Sequence, residues 1–152
     1  MPIKILANNT KEFPLKKSDK EFKNEGDATT VTIRQATQGD FEIRNDLFAE
    51  FKREYDGSAI RVIQRISFDD IRRKEVFLTL CACNILDYPE VAEGEKQIAD
   101  DKLPSLFKFK DGRLTNERDF LVAWAKLHPT IANEIHECVL EMNPLWKPEG
   151  EA

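Results

Sequence analysis

The C-terminal third of the chain carries the feature that most constrains its fold, a pair of amphipathic segments joined by a short link. The first segment places Phe120, Trp124 and Leu127 three or four residues apart. That spacing puts the three side chains on one face of an α-helix. Either Thr115 or Asn116 can cap the start of this helix, because both side chains can accept a hydrogen bond from a free N–H of the first turn.

The second segment begins at Pro129, and proline is favoured in the first turn of a helix. Its predicted apolar face consists of Ile131, Ile135, Val139 and Met142. The Asn143-Pro144 pair ends the helix, because the residue before a proline avoids helical backbone angles. The link over Lys126–Pro129 is so short that we expect the two helices to form a hairpin.

The N-terminal half contains two β-branched stretches, Thr29–Ala36 and Ala59–Ser67, which we predict to be strands. Between them lies a third amphipathic segment. It starts at Thr37, a residue that can cap a helix, and ends near Asp56-Gly57, where glycine favours a left-handed cap. We therefore expect a strand, a helix and a strand in succession.

A further helix is predicted from Phe68 to about Leu86, capped by Ser67. Its second half, residues 76–83, is apolar on every side, which is typical of a helix at the centre of a core. We also place Cys81 and Cys83 on this helix. Residues 106–110 can add a short strand that leads into the turn at 111–112.

Three regions follow from this pattern. Residues 1–28 form a charged N-terminal arm, in which Ile3–Leu6 could be a short strand and Lys16–Asp27 a solvated loop or flexible arm. Residues 29–146 form a single globular domain, and residues 147–152 a polar tail. The predicted fold class is α+β, mainly α, with about four helices and a small N-terminal β-sheet.

The composition limits the possible functions of the chain. Its 152 residues suit one domain, and a net charge of −5 argues against general binding to a phosphate backbone. No apolar run approaches the roughly 18–20 residues of a membrane span, so we expect a soluble, cytoplasmic protein with no membrane contact. The three cysteines, Cys81, Cys83 and Cys138, are an odd number among apolar neighbours and indicate free thiols in a reducing compartment.

No pattern of an enzyme or cofactor site is present. Phosphate loops of the GxGxxG or GxxxxGK[ST] type and the GxSxG motif are missing from the sequence. Two residues two apart on one helix point in different directions, so Cys81 and Cys83 cannot converge on zinc. His128 has the position of a helix cap, and His136 that of a residue at the edge of the core or the surface. We therefore expect neither catalytic residues, nor a metal, nor a cofactor.

Five residues are candidates for partner binding: Arg61, Arg65, Phe120, Trp124 and Trp146. Arg61 and Arg65 lie on one face of a predicted strand and could bind an acidic partner, or simply be its solvated face. Trp146 follows the last helix. It either folds back as a hydrophobic plug or is exposed to a partner.

The segment from Phe120 to Trp146 resembles the C-terminal end of tail assembly chaperones from long-tailed bacteriophages. The likeness consists of an F-x-x-A-W-x-x-L helix starting at Phe120, a second helix that begins at Pro129 and carries the triplet 134–136, and the N-P-x-W ending at 143–146. Residues 31–40 (VTIRQATQGD) also resemble the start of such proteins, and residues 65–80 are compatible with them.

This resemblance implies a function in protein binding and no catalytic residue. Chaperones of this family coat the tape-measure protein in the host cytoplasm, keep it soluble, and leave as tail-tube subunits polymerise around it. The implied partners are therefore the tape-measure protein and the tail-tube protein, with a possible homo-oligomer. The alternative is a structural virion subunit of the tail or neck, in which the charged arm at 16–27 would embrace a neighbouring subunit.

Overall fold

A computed structural model describes residues 2–5, 9–53, 67–88, 94 and 99–148, with the side chains of 48–53 and 100 left undescribed. These residues form an α+β fold that is mainly α, as predicted. The elements are β1 (Thr10–Pro14), α1 (Lys16–Glu21), β2 (Thr30–Arg34), α2 (Gln38–Arg53), α3 (Phe68–Thr79), β3 (Leu80–Cys83), β4 (Phe109–Lys110), β5 (Arg113–Leu114), α4 (Glu117–Ala125) and α5 (Pro129–Met142), with short 3₁₀ turns at Asp100–Lys102 and Pro144–Trp146.

An antiparallel sheet in the order β1-β2-β3 lies near the N-terminus. Its central strand, β2, falls within the predicted strand and packs against α5 through the fully buried Val31 and Ile33. The strand suggested at Ile3–Leu6 is wrong for its described part, because residues 2–5 form no strand and the isoleucines at 3 and 5 are exposed. Instead β1 pairs with β2 along its whole length, from Thr10 opposite Arg34 to Pro14 opposite Thr30.

The prediction of a solvated loop or flexible arm over Lys16–Asp27 is wrong for its first six residues. They form α1, which follows the fully buried Leu15. The physical reason is a long-range contact: the Glu134 carboxylate on α5 accepts the N–H groups of Lys17 at 3.0 Å and Ser18 at 2.8 Å. These N–H groups have no partner inside a helix, so a carboxylate from α5 stabilises this end of α1. The N-terminal residues therefore share the core of the rest of the chain.

The long helix predicted from Phe68 to about Leu86 is also wrong in its second half. Ser67 caps α3 as predicted, accepting from the N–H of Asp70, but the helix ends at Thr79 and the chain continues as β3. A short apolar run is compatible with either a buried helix or a buried strand. Residues 80–83 form a strand rather than a helix because they pair with β2 in the sheet.

The two C-terminal helices agree with the sequence prediction. Asn116 caps α4, the His128 ring accepts from the N–H of Thr130 at the start of α5, and Pro129 occupies the first turn. Both helices pack on α3. The turn at 111–112 has positive φ at both residues, as a tight hairpin between β4 and β5 requires. Trp146 folds back into the core and is 3% exposed, which confirms that it is a plug.

The end predicted near Asp56-Gly57 for the helix that starts at Thr37, and residues 59–66 of the strand predicted over Ala59–Ser67, lie outside the described residues. Two of the candidate binding residues, Arg61 and Arg65, lie there as well.

Candidate functional site

A groove runs along α4 and consists of two adjoining cavities of about 440 and 530 Å³. One wall is α4 with the turn that follows it. The other walls are the segments 85–88 and 106–108. The two cavities share Asp87, Leu106 and Lys126. This feature is called the α4 groove below, and it is assembled from three stretches that are distant in sequence.

Stacked aromatic rings form the floor of the α4 groove. Phe107 and Phe120 are 1% and 2% exposed, and their ring centroids are 5.7 Å apart with the planes inclined by 26°. Behind them, the Phe120 ring lies 5.5 Å from Phe77 and 5.8 Å from Trp124. Aromatic side chains have few rotatable bonds and are close-packed here, so the floor is already formed before any partner binds.

The rim of the groove carries exposed apolar side chains. Leu86 is 43%, Tyr88 48% and Val122 59% exposed. An ion pair between the Asp87 carboxylate and Lys126 Nζ, at 3.2 Å, lies where the two cavities meet. Apolar surface with a polar boundary is the usual composition of a protein-binding site. The arrangement suits an amphipathic partner.

The five predicted binding residues have different locations. Phe120 lines the groove, whereas Trp124 is a core residue behind it, 7% exposed, with the Arg72 guanidinium 5.9 Å from its ring centroid. Trp146 lies elsewhere, in a second cleft. Three of the five are thus buried in this conformation, and contact of these aromatic residues with a partner stays a prediction. Arg61 and Arg65 cannot be placed, because both lie outside the described residues.

Sequence reasoning missed the rim residues of the groove. Val122 was detectable in principle, because with Leu121 it is an apolar residue off the stripe of α4, and both are exposed. Leu86 and Tyr88 carry no such signal, since they lie in an irregular segment whose position depends on tertiary contacts. A bridge from Leu86 to Ser105 and a hydrogen bond from the Leu106 N–H to the Ile85 carbonyl hold this segment in place.

A second cleft, of about 230 Å³, lies over a buried ionic cluster and is called the Glu75 cleft below. The Glu75 carboxylate is 2% exposed. Its Oε2 accepts from Arg44 Nε at 2.9 Å, and its Oε1 lies 2.9 Å from His136 Nε2. The Arg44 guanidinium also lies 5.6 Å from the Trp146 ring centroid. A buried carboxylate is tolerated when charged or hydrogen-bonding partners surround it in this way.

Another buried ion pair fixes the junction of β2 and α2. Arg34 donates to both carboxylate oxygens of Asp40, at 2.6 and 2.9 Å, and the Thr37 N–H donates to the same carboxylate at 2.8 Å. Burial alone would raise the pKa of Asp40, but the hydrogen bonds from Arg34 and Thr37 outweigh it and hold that pKa below its ordinary value. The Asn143 amide oxygen accepts from the Ala36 N–H at 2.7 Å and ties this junction to the end of α5.

Residues of the C-terminal motifs therefore have structural roles here. Glu134 caps α1, Ile135 is fully buried, and His136 bonds to Glu75. Asn143 accepts a hydrogen bond from Ala36 in the N-terminal half, and Trp146 is buried in the core. Each position is explained by a contact within the chain, so the motif by itself identifies no binding surface.

Cys81 and Cys83 lie on β3, and their predicted place on a helix is wrong. Leu80 and Ala82 pair with Ile33 and Thr32 of β2, which leaves Cys81 unpaired in a bulge. The two thiols contact different backbone groups, the Thr79 carbonyl and the Ile85 N–H, each at 3.4 Å. Burial raises the pKa of Cys83 to about 11, and burial together with the glutamates of α5 raises that of Cys138 to about 12. Such thiols stay protonated and weakly reactive at neutral pH.

In the part of the chain that the structure describes, no three His, Cys, Asp or Glu side chains are grouped so that they could hold a metal ion. None of the described helices combines the length and the apolar character that a bilayer span requires. Comparison with protein-family models, with curated proteins and with solved structures finds no significant match.

Proposed function

We propose that this chain is a tail assembly chaperone of a long-tailed phage, and that its α4 groove binds the tape-measure protein. The observation that carries the proposal is the preformed aromatic floor of the groove together with the exposed apolar side chains of Leu86, Tyr88 and Val122 at its rim. The resemblance over Phe120–Trp146 supports the same function. Neither catalysis nor a cofactor is needed for it.

The mode of binding follows from the chemistry of the groove. A tape measure is a long helical chain with exposed apolar stripes, and an amphipathic helix binds by laying its apolar face into a groove. Each contact can be weak, because many copies along one chain gain from multivalency. Weak contacts also allow displacement when tail-tube subunits polymerise around the tape measure. We place this activity in the host cytoplasm.

Co-expression tests this function. The tape-measure protein expressed alone is expected to aggregate through its apolar stripes, and co-expression with this chain should keep it soluble. The two proteins should then co-purify with several copies of this chain per tape measure. Insolubility of the tape measure in the presence of a folded, soluble excess of this chain would refute the chaperone proposal.

One observation favours the alternative of a structural tail or neck subunit. Ile3 and Ile5 are 92% and 91% exposed, and residues 2–5 form no helix or strand. Such an apolar end could pack against a neighbouring subunit, which is also a route to a homo-oligomer. Mass spectrometry of purified virions separates the two proposals. A chaperone should be absent from mature particles, whereas a structural subunit should be present in stoichiometric amounts.

A further inference from the structure

We infer that the Glu75 cleft is a second binding site, which takes a peptide segment with an apolar side chain next to a carboxylate. This inference is independent of the proposed function, because it concerns a different cleft and a different chemistry. It rests on three features of the cleft: its apolar walls, the unpartnered indole N–H of Trp146 and the positive charge of Lys147.

The walls of the cleft are apolar and open to solvent at the rim. Phe68 is 59% and Leu145 84% exposed, although both are large apolar residues. Ile71 and Leu140 complete the walls. The volume of about 230 Å³ lies below the range of roughly 300–1,000 Å³ that is common for small-molecule and cofactor pockets. The cleft therefore suits one apolar side chain of a partner rather than a cofactor.

One buried polar group at the cleft, the indole N–H of Trp146, has no hydrogen-bond partner among the described residues. An indole N–H can only donate, so it needs an acceptor. Buried polar groups are nearly always hydrogen-bonded, so a buried donor without a partner at this cleft indicates a missing acceptor atom.

The charges of the cleft favour a ligand that supplies acceptors and negative charge. Arg44 pairs with Glu75, the single carboxylate of the lining, and Lys147 is a further fixed cation there. Both Glu75 oxygens already have partners within the chain. Since Trp146 and Lys147 can only donate, a carboxylate complements the cleft better than an amide or a cation does. This local surplus occurs in a chain whose net charge is −5.

The indole Nε1–H resonances of the two tryptophans provide the test, in a ¹⁵N-labelled sample of the full chain. Trp146 reports on the cleft, and Trp124, which lines neither the Glu75 cleft nor the α4 groove, is the internal reference. The probes are N-acetylphenylalanine, its neutral amide, and the capped dipeptide N-acetyl-Phe-Glu-amide. A preference for the first carboxylate probe indicates a chain terminus, and a preference for the dipeptide indicates an acidic side chain.

We expect a carboxylate probe to shift the Trp146 resonance saturably and to bind about tenfold more tightly than the amide, since one charge-assisted hydrogen bond is worth that factor. The Trp124 resonance should not move. Lys147→Gln, a change at an exposed side chain, should abolish the preference for the carboxylate, and the matched change Lys126→Gln in the α4 groove should preserve it. Equal affinity for acid and amide, equal shifts of both tryptophans, or no shift with any probe would overturn the inference.

Discussion

The α4 groove and the Glu75 cleft are both partly apolar at the rim, but they lie over different kinds of core. Below the groove, Phe107 and Phe120 stack on one another with no charged group between them. Below the cleft, the Glu75 carboxylate joins Arg44 on α2 to His136 on α5. One floor is held by close-packed rings, and the other by directional bonds between charged groups.

This difference determines how each region responds to change. Apolar packing is non-directional, and its loss grows with the volume that is removed. A buried ionic cluster behaves differently, because removal of one member leaves the others desolvated and incompletely bonded. The groove floor should therefore respond to side-chain volume, and the floor of the cleft to charge at constant volume.

The largest expected effect is on the aromatic core that packs behind the floor of the α4 groove. Trp124→Ala should lower the free energy of unfolding by about 3–5 kcal/mol, because a buried indole is replaced by a cavity. Urea unfolding measures this loss. The control is Leu121→Ala on the exposed face of α4, which should change stability by no more than about 0.5 kcal/mol. Equal losses from the two changes would show that Trp124 is not a core residue.

Glu75→Gln tests the ionic floor at nearly constant volume. The amide cannot replace both charge-assisted bonds, so we expect a loss of about 2–3 kcal/mol in the free energy of unfolding. Glu117→Gln is the matched control, because the Glu117 pair with Lys74 is solvent-exposed on the glutamate side and should contribute about 0–1 kcal/mol. A loss at position 75 as small as that at 117 would contradict the ionic account of this region.

A smaller, pH-dependent effect is expected at Asp40. Its folded-state pKa lies below the ordinary value of 3.8, so its contribution to stability is complete above that pH and is lost as the pH falls through the folded pKa. Wild-type protein should thus lose more stability than Asp40→Asn between about pH 5 and about pH 2.5. Parallel stability curves for the two proteins over this range would show that the Arg34–Asp40 pair does not depress the pKa.

The two regions also differ in how far the sequence predicts them. The caps at Asn116 and Pro129 and the apolar stripe through Phe120 are local signals, and they locate α4 and α5 correctly. The strand at Leu80–Cys83 is not a local property, because it depends on pairing with β2. The Glu134 cap of α1 and the Glu75 cluster are not local either, because their partners are 31 to 117 residues apart.

The candidate sites also combine parts that local sequence predicts with parts that depend on long-range contacts. The apolar stripe through Phe120 indicates the floor of the α4 groove. The rim cannot be predicted in this way, because Leu86 and Tyr88 lie there through tertiary contacts and not through a periodic sequence pattern. The exposed Leu145 and the buried Glu75 meet in one cleft only after the chain folds. Surface sites built from several segments depend on tertiary structure, whereas the helices that carry them depend mainly on local sequence.

The central claim, that the α4 groove binds the apolar stripe of the tape measure, is tested most directly by a pair of substitutions on one helix. Val122 and Leu121 are neighbours on α4 and both are exposed, but only Val122 lines the groove. The measurement is the amount of co-expressed tape-measure protein that co-purifies with each variant. Val122→Asp should reduce it by roughly tenfold or more, because a charge would be desolvated in the bound complex. Leu121→Asp should bind as wild type does. Equal retention by both variants, or a loss confined to Leu121→Asp, would contradict the account.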